Sequence, residues 1–473
     1  MNTINTGLNE PDTISNVVYE DLQIGQSASQ VRTLTNADIQ AFATVSGDVN
    51  PAHLDAEYAA QTLFHGVIAH GMWGGALIST ILGTRLPGPG TIYLEQNLHF
   101  AKPVRIGDTL TVSAIVVAKD DEKKRVTLDC EIINQKGDRV VYGNALVIAP
   151  TEKVSRPRTR LPTMTMFDLG ERQRHLLDSV KDLPAIRCAV VHPCDADSLQ
   201  GAVDAARQGL IIPVLIAPLE KLLAVATAAN IDISAFEKID APHSDGAAAI
   251  AAEMAAKGKV EALMKGSLHT DELMHAVVEC TALRTGRRLS HVYHLDVPMY
   301  HKLLLLTDAA LNIYPTLPEK ADILQNAINL AHALSIPQPK VALLSAVETV
   351  NPKIMSTIDA AALCKMAERK QITGAIVDGP LAFDNAISAR AAQIKGIVSA
   401  VSGDVDILMV PDLESGNMLG KQFEYLAGAA TCGVVLGAKV PIALTSRADG
   451  PSSRVASAAL VKLLAHEYRK NAP

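Results

Sequence analysis

The chain has 473 residues, 48% of them apolar and 20% charged, with a formal net charge of −7. That length is too great for one hydrophobic core and asks for two or three domains. The acidic balance excludes a general nucleic-acid binder, so any site for a phosphorylated ligand has to be built from local groups. Six scattered cysteines (130, 188, 194, 280, 364 and 432), none in a C-x-x-C pair, fit a reduced cytoplasmic protein and not a disulfide framework.

The first sixteen residues are polar, with neither a basic start nor an apolar run. They are expected to fray, and no secretory signal is expected. Thr35-Asn36-Ala37-Asp38 has the form of a capping box and starts a helix with Ile39, Phe42 and Val45 on one face. Asp55 is placed to cap a second short helix through Tyr58. The segment 66–85 looks membrane-like, but His70 interrupts it. Its clean apolar part, about 12 residues, is too short for about 30 Å of hydrocarbon, so no membrane span is expected. The helix predicted over 71–84 is apolar nearly all round and rich in small residues, which asks for enclosure by other structure. Four strand-like runs follow at 91–100, 109–119, 125–133 and 139–148, punctuated by Gly-Asp at 107–108 and 137–138. One enclosed helix followed by an antiparallel sheet predicts an α+β domain over 17–150 in which the sheet wraps the helix.

Residues 151–170 carry prolines, several basic residues and no clear period, and read as a linker. From 171 to 473 short apolar runs alternate with Ala-rich helical segments. The runs lie at 188–191, 211–216, 260–264, 341–344, 375–377, 406–410 and 440–444. This alternation predicts a parallel sheet with helices on both faces. Ligands of such sheets bind outside the carboxyl ends of the strands. The turns that follow the runs, among them Lys265-Gly266-Ser267 and Thr445-Ser446-Arg447, are where chemistry is expected.

Two clusters carry chemistry. Asp48 and His53 stand five residues apart across an Asn-Pro turn. A carboxylate and a neutral imidazole sharing one water can take its proton and return a proton to carbon. A backbone amide at the start of the 71–84 helix would hold the oxygen that gains charge. Spacing alone favours the plainer reading, with Asp48 and Asp55 capping turns and His53 in a core. In the second cluster, the amides after Lys265 together with its ammonium suit a phosphate. Ser446-Arg447-Ala448-Asp449 offers a hydroxyl, a guanidinium fork and an acid within four residues. Three near-motifs fail. Gly416-Asn417-Met418-Leu419-Gly420-Lys421 is one residue short of a phosphate loop and lacks its Ser/Thr. His291 and His294 have no third ligand nearby. No strand is followed by G-x-G-x-x-G, and neither a metal nor an organic cofactor is expected.

The first cluster sits in SGDVNPAHLDAEYAAQTLFHGVIAHGM, followed by LPGPGTIYLEQNLHFAKPVRIGDTL. Over roughly 18–150 this resembles the MaoC-like (R)-specific enoyl-CoA hydratases. The resemblance implies a hot-dog fold, usually paired as a dimer, with Asp48 and His53 activating water and the amide of Gly71 holding the thioester oxygen. It implies that Ser79 helps to line the site, although a Ser inside a helix also bonds back one turn. His70 belongs to the motif as a structural residue. Trp73 departs from the smaller or aliphatic residue usual after His-Gly-Met and bears on the acyl pocket, hence on chain length.

The second half carries LMKGSLHTDELMHAV, RTGRRLSHVYHLDVP, LLLLTDAALNIYP, AIVDGPLAFDNAIS, SGDVDILMVPDLESGNMLGKQFEYLAGA and VLGAKVPIALTSRAD. Over about 175–473 these resemble the phosphate acetyl/butyryltransferases. The resemblance implies a two-lobed α/β domain related to the isocitrate-dehydrogenase-like fold. Lobe one would span about 171–315 plus 440–473, and lobe two about 316–439. It implies direct attack of phosphate on a CoA thioester, with Ser446 polarising the thioester and Arg447 binding phosphate. Asp308 and Asn312 are implied as cleft residues. The family's later catalytic acid has no counterpart in Gly450-Pro451-Ser452-Ser453, and Asp449 is nearer, so the base stays open.

The expectation is a cytoplasmic enzyme of fatty acid metabolism with two activities, an α+β hot-dog hydratase fused to a two-lobed α/β acyltransferase. Its partners would be acyl-CoA, CoA and inorganic phosphate, with no nucleic acid and no membrane, in a homodimer or larger homo-oligomer. Two alternatives stand beside it. In one the second half is an inactive CoA-binding or oligomerisation module. In the other the first is a thioesterase.

Overall fold

In a computed structural model, residues 2–3, 12–161, 165–167, 169–445 and 450–473 are described. Two compact units divide the chain, Met1–Phe167 and Asp168–Pro473.

Strict alternation builds the first unit. Along Thr109–Asp120 the side chains of Leu110, Val112, Ala114 and Val116 are fully buried and their neighbours turn outward. Arg125–Asn134 and Arg139–Ile148 repeat the pattern, as period two requires of a sheet with one dry face. With Ser27–Thr33 and Ile92–Gln96 they form an antiparallel sheet, joined at its last long strand by His99–Phe100. Its dry face packs on the helix Gly71–Thr84 through Trp73, Ile78, Ile81 and Leu82. This is the hot-dog arrangement expected. The helix is enclosed on one side only: Gly71, Met72, Ala76, Ser79 and Thr80 lie exposed in the single chain.

Three local expectations need correction. Val45 is 86% exposed, so the apolar face of the helix Asn36–Ser46 stops short of it. The opening segment does not fray throughout, because Thr13–Ser15 pairs antiparallel with Ser155–Pro157. That pairing also takes 155–157 out of the linker expected over 151–170. The physical reason is Asn16. Its amide donates to the carbonyls of Pro89 and Glu152 and accepts from Val154 N, lacing the two segments together.

The second unit is built on one eleven-stranded sheet. Its order is Glu237–Asp240, Ile211–Ala217, Ile186–Val191, Ala262–Lys265, Ile442–Ala443, Ala430–Leu436, Ser290–Asp296, Leu304–Thr307, Ile407–Met409, Lys340–Leu344, Ile376–Leu381. The expected all-parallel sheet is corrected here. Ala430–Leu436 pairs antiparallel with both neighbours, and Ser290–Asp296 does the same. Three reversals separate the two parallel blocks, so these run in opposite directions. Strands 290–296 and 304–307, expected with lobe one, stand in the sheet beside strands of lobe two. Burial explains why they belong there: every residue of Ser290–Asp296 is buried, and a strand dry on both faces fits only the interior of a wide sheet. The closing helix Pro451–Lys470 packs back onto the first block through Val455, Ala459 and Leu460.

Candidate active sites

In the first unit the Asn-Pro turn does the positioning. Asn50 caps the short helix Pro51–Leu54, its side chain accepting from Ala52 N, and Asp55 caps Ala56–Gln61 through Glu57 N and Tyr58 N, as expected. His53 Nδ1 lies 2.9 Å from the carbonyl oxygen of Ile68. A carbonyl only accepts, so Nδ1 carries the proton and Nε2 keeps its lone pair, the state a general base needs. His70 lies across the ring of His53, centroids 4.0 Å apart, and its Nε2 donates to the backbone carbonyl of Asp48 at 3.0 Å. One oxygen of Asp48 and a ring nitrogen of each histidine fall within 4.8 Å of one another. It is the one group of three or more Asp, Glu, His or Cys ligand atoms so placed among the described residues. Such atoms can share a water between acid and base, and they are also of the kind that ligate a metal.

His70 precedes the helix Gly71–Thr84, whose first turn has no side-chain cap. Trp73 N donates to His70 O at 3.1 Å, and the amides of Gly71 and Met72 ahead of it are left for another acceptor. A Cβ on Gly71 would lie 3.1 Å from the ring of Phe100, so the helix start is tight as well as uncapped. Ser79 is exposed and makes no bond back along the helix, unlike Thr80 and Thr84, which donate to Ala76 O and Thr80 O. Trp73 is buried in the core against the sheet. His70, set aside as structural in the sequence, is the residue that joins Asp48, His53 and the helix start.

In the second unit the turn after Ala262–Lys265 does not hold its amides open, which corrects the phosphate reading of Gly266 and Ser267. Gly266 N donates to Val191 O and Ser267 N to His192 O, both at 2.9 Å. Ser267 Oγ also donates to His192 O and accepts from Cys194 N. Gly266 is required there: a Cβ would lie 2.4 Å from Val191 O. The pair is therefore a clasp between neighbouring strand ends. Lys265, buried at 4% exposure, lines a cleft of about 850 Å³ with His269, Thr270, Tyr293, Lys421 and Thr445.

Asp308 and Asn312 are buried and committed to one another. Asp308 accepts from the amides of Ala310 and Leu311, and burial raises its pKa against those bonds. Asn312 donates to Leu289 O and accepts from Arg288 Nε. They shape a loop and present no free polar group. The short-spaced glycines of 416–420 also have a packing cause: a Cβ on Gly416 would strike Asp308 O at 2.3 Å, and one on Gly420 would touch the Tyr293 ring at 3.0 Å. Ser446, Arg447 and Asp449 lie outside the described residues. Their neighbour Thr445 accepts from Arg454 Nη1 at 2.9 Å. Arg454 is 2% exposed at the start of the closing helix, and sequence reading passed over it. Its signal was faint, one Arg in an Ala- and Ser-rich helical run.

Residues 235–461 match the family model "Phosphate acetyl/butaryl transferase", and residues 21–135 match "MaoC like domain". A phosphate acetyltransferase of Rhizobium meliloti is 56% identical over 289 residues, covering 61% of this chain and 91% of that protein. The chain belongs to the phosphate acetyl/butyryl transferase family. A branched-chain phosphotransacylase from Enterococcus faecalis shares the transferase fold, with 30% identity, a TM-score of 0.53, and coverage of 59% of this chain and 99% of that one. An R-hydratase from Pseudomonas aeruginosa is 47% identical, with a TM-score of 0.32, over 33% of this chain and 99% of that one. The transferase thus carries a MaoC-like domain ahead of it, and the chain is an enzyme by its transferase family.

Proposed function

We propose that this transferase hydrates trans-2-enoyl-CoA to (R)-3-hydroxyacyl-CoA in its first unit and moves an acyl group between CoA and inorganic phosphate in its second. The observation that carries the first activity is the tautomer of His53. Its Nδ1–H is held by Ile68 O, which leaves the Nε2 lone pair of the neutral ring free, and a ring nitrogen of His53 lies within 4.8 Å of an Asp48 carboxylate oxygen. Water adds its oxygen to C3 of the enoyl thioester as its proton passes to this acid–base pair. Charge gathers on the thioester oxygen, which the Gly71 amide holds, and collapses as C2 takes a proton from the pair. Losing such an amide donor typically raises a barrier by about 3–4 kcal/mol. Ser79 and Trp73 are assigned to the acyl side of this site. Crotonyl-CoA absorbance tests it: Asp48→Asn is expected to lose hydration, and undiminished turnover by that variant would sink the assignment. Accumulation of free thiol as enoyl-CoA is consumed would favour hydrolysis instead.

In the second unit a phosphate oxygen attacks the thioester carbonyl carbon directly, and the CoA thiolate leaves. Family membership and the Lys265 cleft support this reading. Ser446 is assigned to polarise the carbonyl, Arg447 to hold phosphate, and Asp449 and Lys265 to line the site. Burial pushes the Cys364 thiol up to about 12 and raises Cys188 and Cys194 as well, which makes these three poor nucleophiles. Phosphate- or arsenate-dependent release of CoA from acetyl- or butyryl-CoA is the assay, with Arg447→Ala weakening phosphate use most. Absence of any release from the wild type would leave a hydratase joined to an inactive module, the reading that the missing acid at 450–453 favours.

The six free cysteines fit a cytoplasmic setting. No helix among the described residues is long and apolar enough to cross a membrane. Met72 and Phe100, 58% and 52% exposed beside the first site, support pairing with a second copy.

A further inference from the structure

A cavity of about 300 Å³ lies between the helices Leu317–Ala333 and Pro451–Lys470, at the end of the strand Ala430–Leu436. No described residue lines both this cavity and the Lys265 cleft. Its volume stands at the small end of ligand sites, which run from about 300 to about 1,000 Å³, and suits a molecule far smaller than a CoA thioester. Its wall is tightly built at Gly437, which holds φ +90° and where a Cβ would lie 2.4 Å from Arg288 O and 3.1 Å from Asn326 Nδ2.

Three polar side chains on this wall have hydrogen-bonding capacity that the protein does not use. Asn326 is 3% exposed. Its Nδ2 donates to Arg288 O and to Ser290 Oγ, both at 2.9 Å, which spends both amide hydrogens. Its Oδ1 has no partner among the described residues and is left to the cavity that the side chain lines. A carbonyl oxygen so deep asks for a donor, because buried polar atoms are almost always paired. The hydroxyl of Tyr468 likewise has no hydrogen-bond partner among the described residues. Burial pushes its pKa up to about 12 against the opposing charge of Arg287, so the phenol stays a donor at neutral pH. Arg287 is the cation near it. Its Nη1 donates to the side-chain oxygen of Asn329 at 2.7 Å, and it forms no ion pair among the described residues. Its backbone is pinned, since Arg287 N donates to Thr285 Oγ1 and that hydroxyl donates to Gly437 O. Glu467, the acidic side chain on the described wall, is engaged by Lys470 Nζ at 2.7 Å and leaves the guanidinium unneutralised.

These groups specify a ligand by what each can take. A guanidinium and a protonated phenol near one another are donors for a carboxylate. Asn326 Oδ1 only accepts, so the same ligand has to carry an O–H or N–H of its own. Leu330, Leu436 and Leu464 make up the apolar part of the wall and leave room for a few carbons. A carboxylate, one donor and a short carbon chain describe 3-hydroxy acids and 2-amino acids alike.

We propose that this cavity is a binding site, separate from the Lys265 cleft, for a short-chain carboxylate that carries one hydroxyl or ammonium donor. Calorimetry on the full-length protein tests it, with (R)-3-hydroxybutyrate and L-2-aminobutyrate as probes and butyrate, which lacks the donor, as the reference. One of the two probes is expected to bind about tenfold tighter than butyrate, which leaves Asn326 Oδ1 unpaired. The tighter probe tells the hydroxy acid from the amino acid. Arg287→Gln is expected to weaken its binding at least tenfold. Tyr468→Phe, which keeps the ring and its packing, is expected to weaken it about tenfold. Saturating acetyl-CoA is expected to leave the affinity within twofold. The proposal is overturned if neither probe binds, if butyrate binds as tightly as both, or if Tyr468→Phe keeps the wild-type affinity. Displacement by acetyl-CoA would also overturn it, by making the space part of the acyl-CoA site.

Discussion

His70 bonds through Nε2 to the backbone carbonyl of Asp48 while its ring lies 4.0 Å from that of His53. One buried side chain thus fixes both partners of the acid–base pair, and its own backbone carries the chain into the helix at Gly71. Losing a buried hydrogen bond and the packing of a ring costs about 1–3 kcal/mol, and about 1.4 kcal/mol is tenfold in rate. His70→Leu is therefore expected to lower kcat for crotonyl-CoA hydration about ten- to hundredfold, with KM changed less. His70→Gln, which can still donate to Asp48 O, is expected to recover part of the loss. A His70→Leu enzyme of ordinary kcat and reduced thermal stability would return the residue to a purely structural role.

The Asp48–His53–His70 trio also fixes the outcome of metal removal. Hydration is assigned to proton transfer between water, Asp48 and His53. Exhaustive dialysis against a chelator is accordingly expected to leave crotonyl-CoA turnover within twofold of the untreated enzyme. Loss of activity that added zinc restores would make the three ligand atoms within 4.8 Å a metal centre.

The second unit is expected to be acid-labile for a reason confined to one strand. His291 and His294 lie on Ser290–Asp296 at 0% and 1% exposure, and neither ring nitrogen of His291 has a hydrogen-bond partner. Burial lowers their pKa values to about 3 and about 4. The unfolded imidazole titrates near about 6.5, so below that pH the unfolded chain takes up protons that the folded strand refuses. The stability these residues contribute is whole above about pH 6.5 and falls as the pH drops toward about 4, by roughly 1.4 kcal/mol per pH unit for each histidine. Urea unfolding at pH 7, 6 and 5 reads this out. Trp73, the chain's one tryptophan, follows the first unit by fluorescence, while circular dichroism follows both. The acid-dependent shift is expected in the transition that Trp73 does not see. It should be shallower in His291→Leu, and an equal slope in that variant would clear His291.

What the sequence made legible is what local chemistry determines. The Thr35 capping box, the Asp55 cap and the alternation along 109–148 involve neighbours in the chain, and each is present in the structure. The Asp48–His53 pair was visible for the same reason, being five residues apart on one turn. Strand 290–296 did not stand out among the apolar runs because its two histidines interrupt it, and only a sheet buried on both faces tolerates them there. The direction of the second block was hidden in the antiparallel pairing of 290–296 with 430–436, which no local pattern encodes. Gly266 and Ser267 misled because a Lys-Gly-Ser turn reads as an open nest until its amides are found on carbonyls 75 residues away.

Gly201 sets two local effects against each other beside Arg454. It sits inside the helix Ala196–Arg207, where alanine is favoured over glycine by about 1 kcal/mol. Yet a Cβ there would lie 2.6 Å from Cδ and 2.8 Å from Cβ of Arg454. The second contact is close to the Arg454 backbone, so a rotamer change cannot relieve it. Either the helix Pro451–Lys470 moves or the guanidinium leaves Thr445. Overpacking of this kind costs about 1–3 kcal/mol, which outweighs the gain in helix propensity. Gly201→Ala is expected to lower the urea midpoint of the second unit and to reduce phosphate-dependent CoA release about tenfold, while crotonyl-CoA hydration is unaffected. Loss of stability alone would mean that the helix shifts without disturbing Thr445. A variant of full stability and full transferase activity would show that Arg454 has room to spare, and would remove it from the support of Thr445.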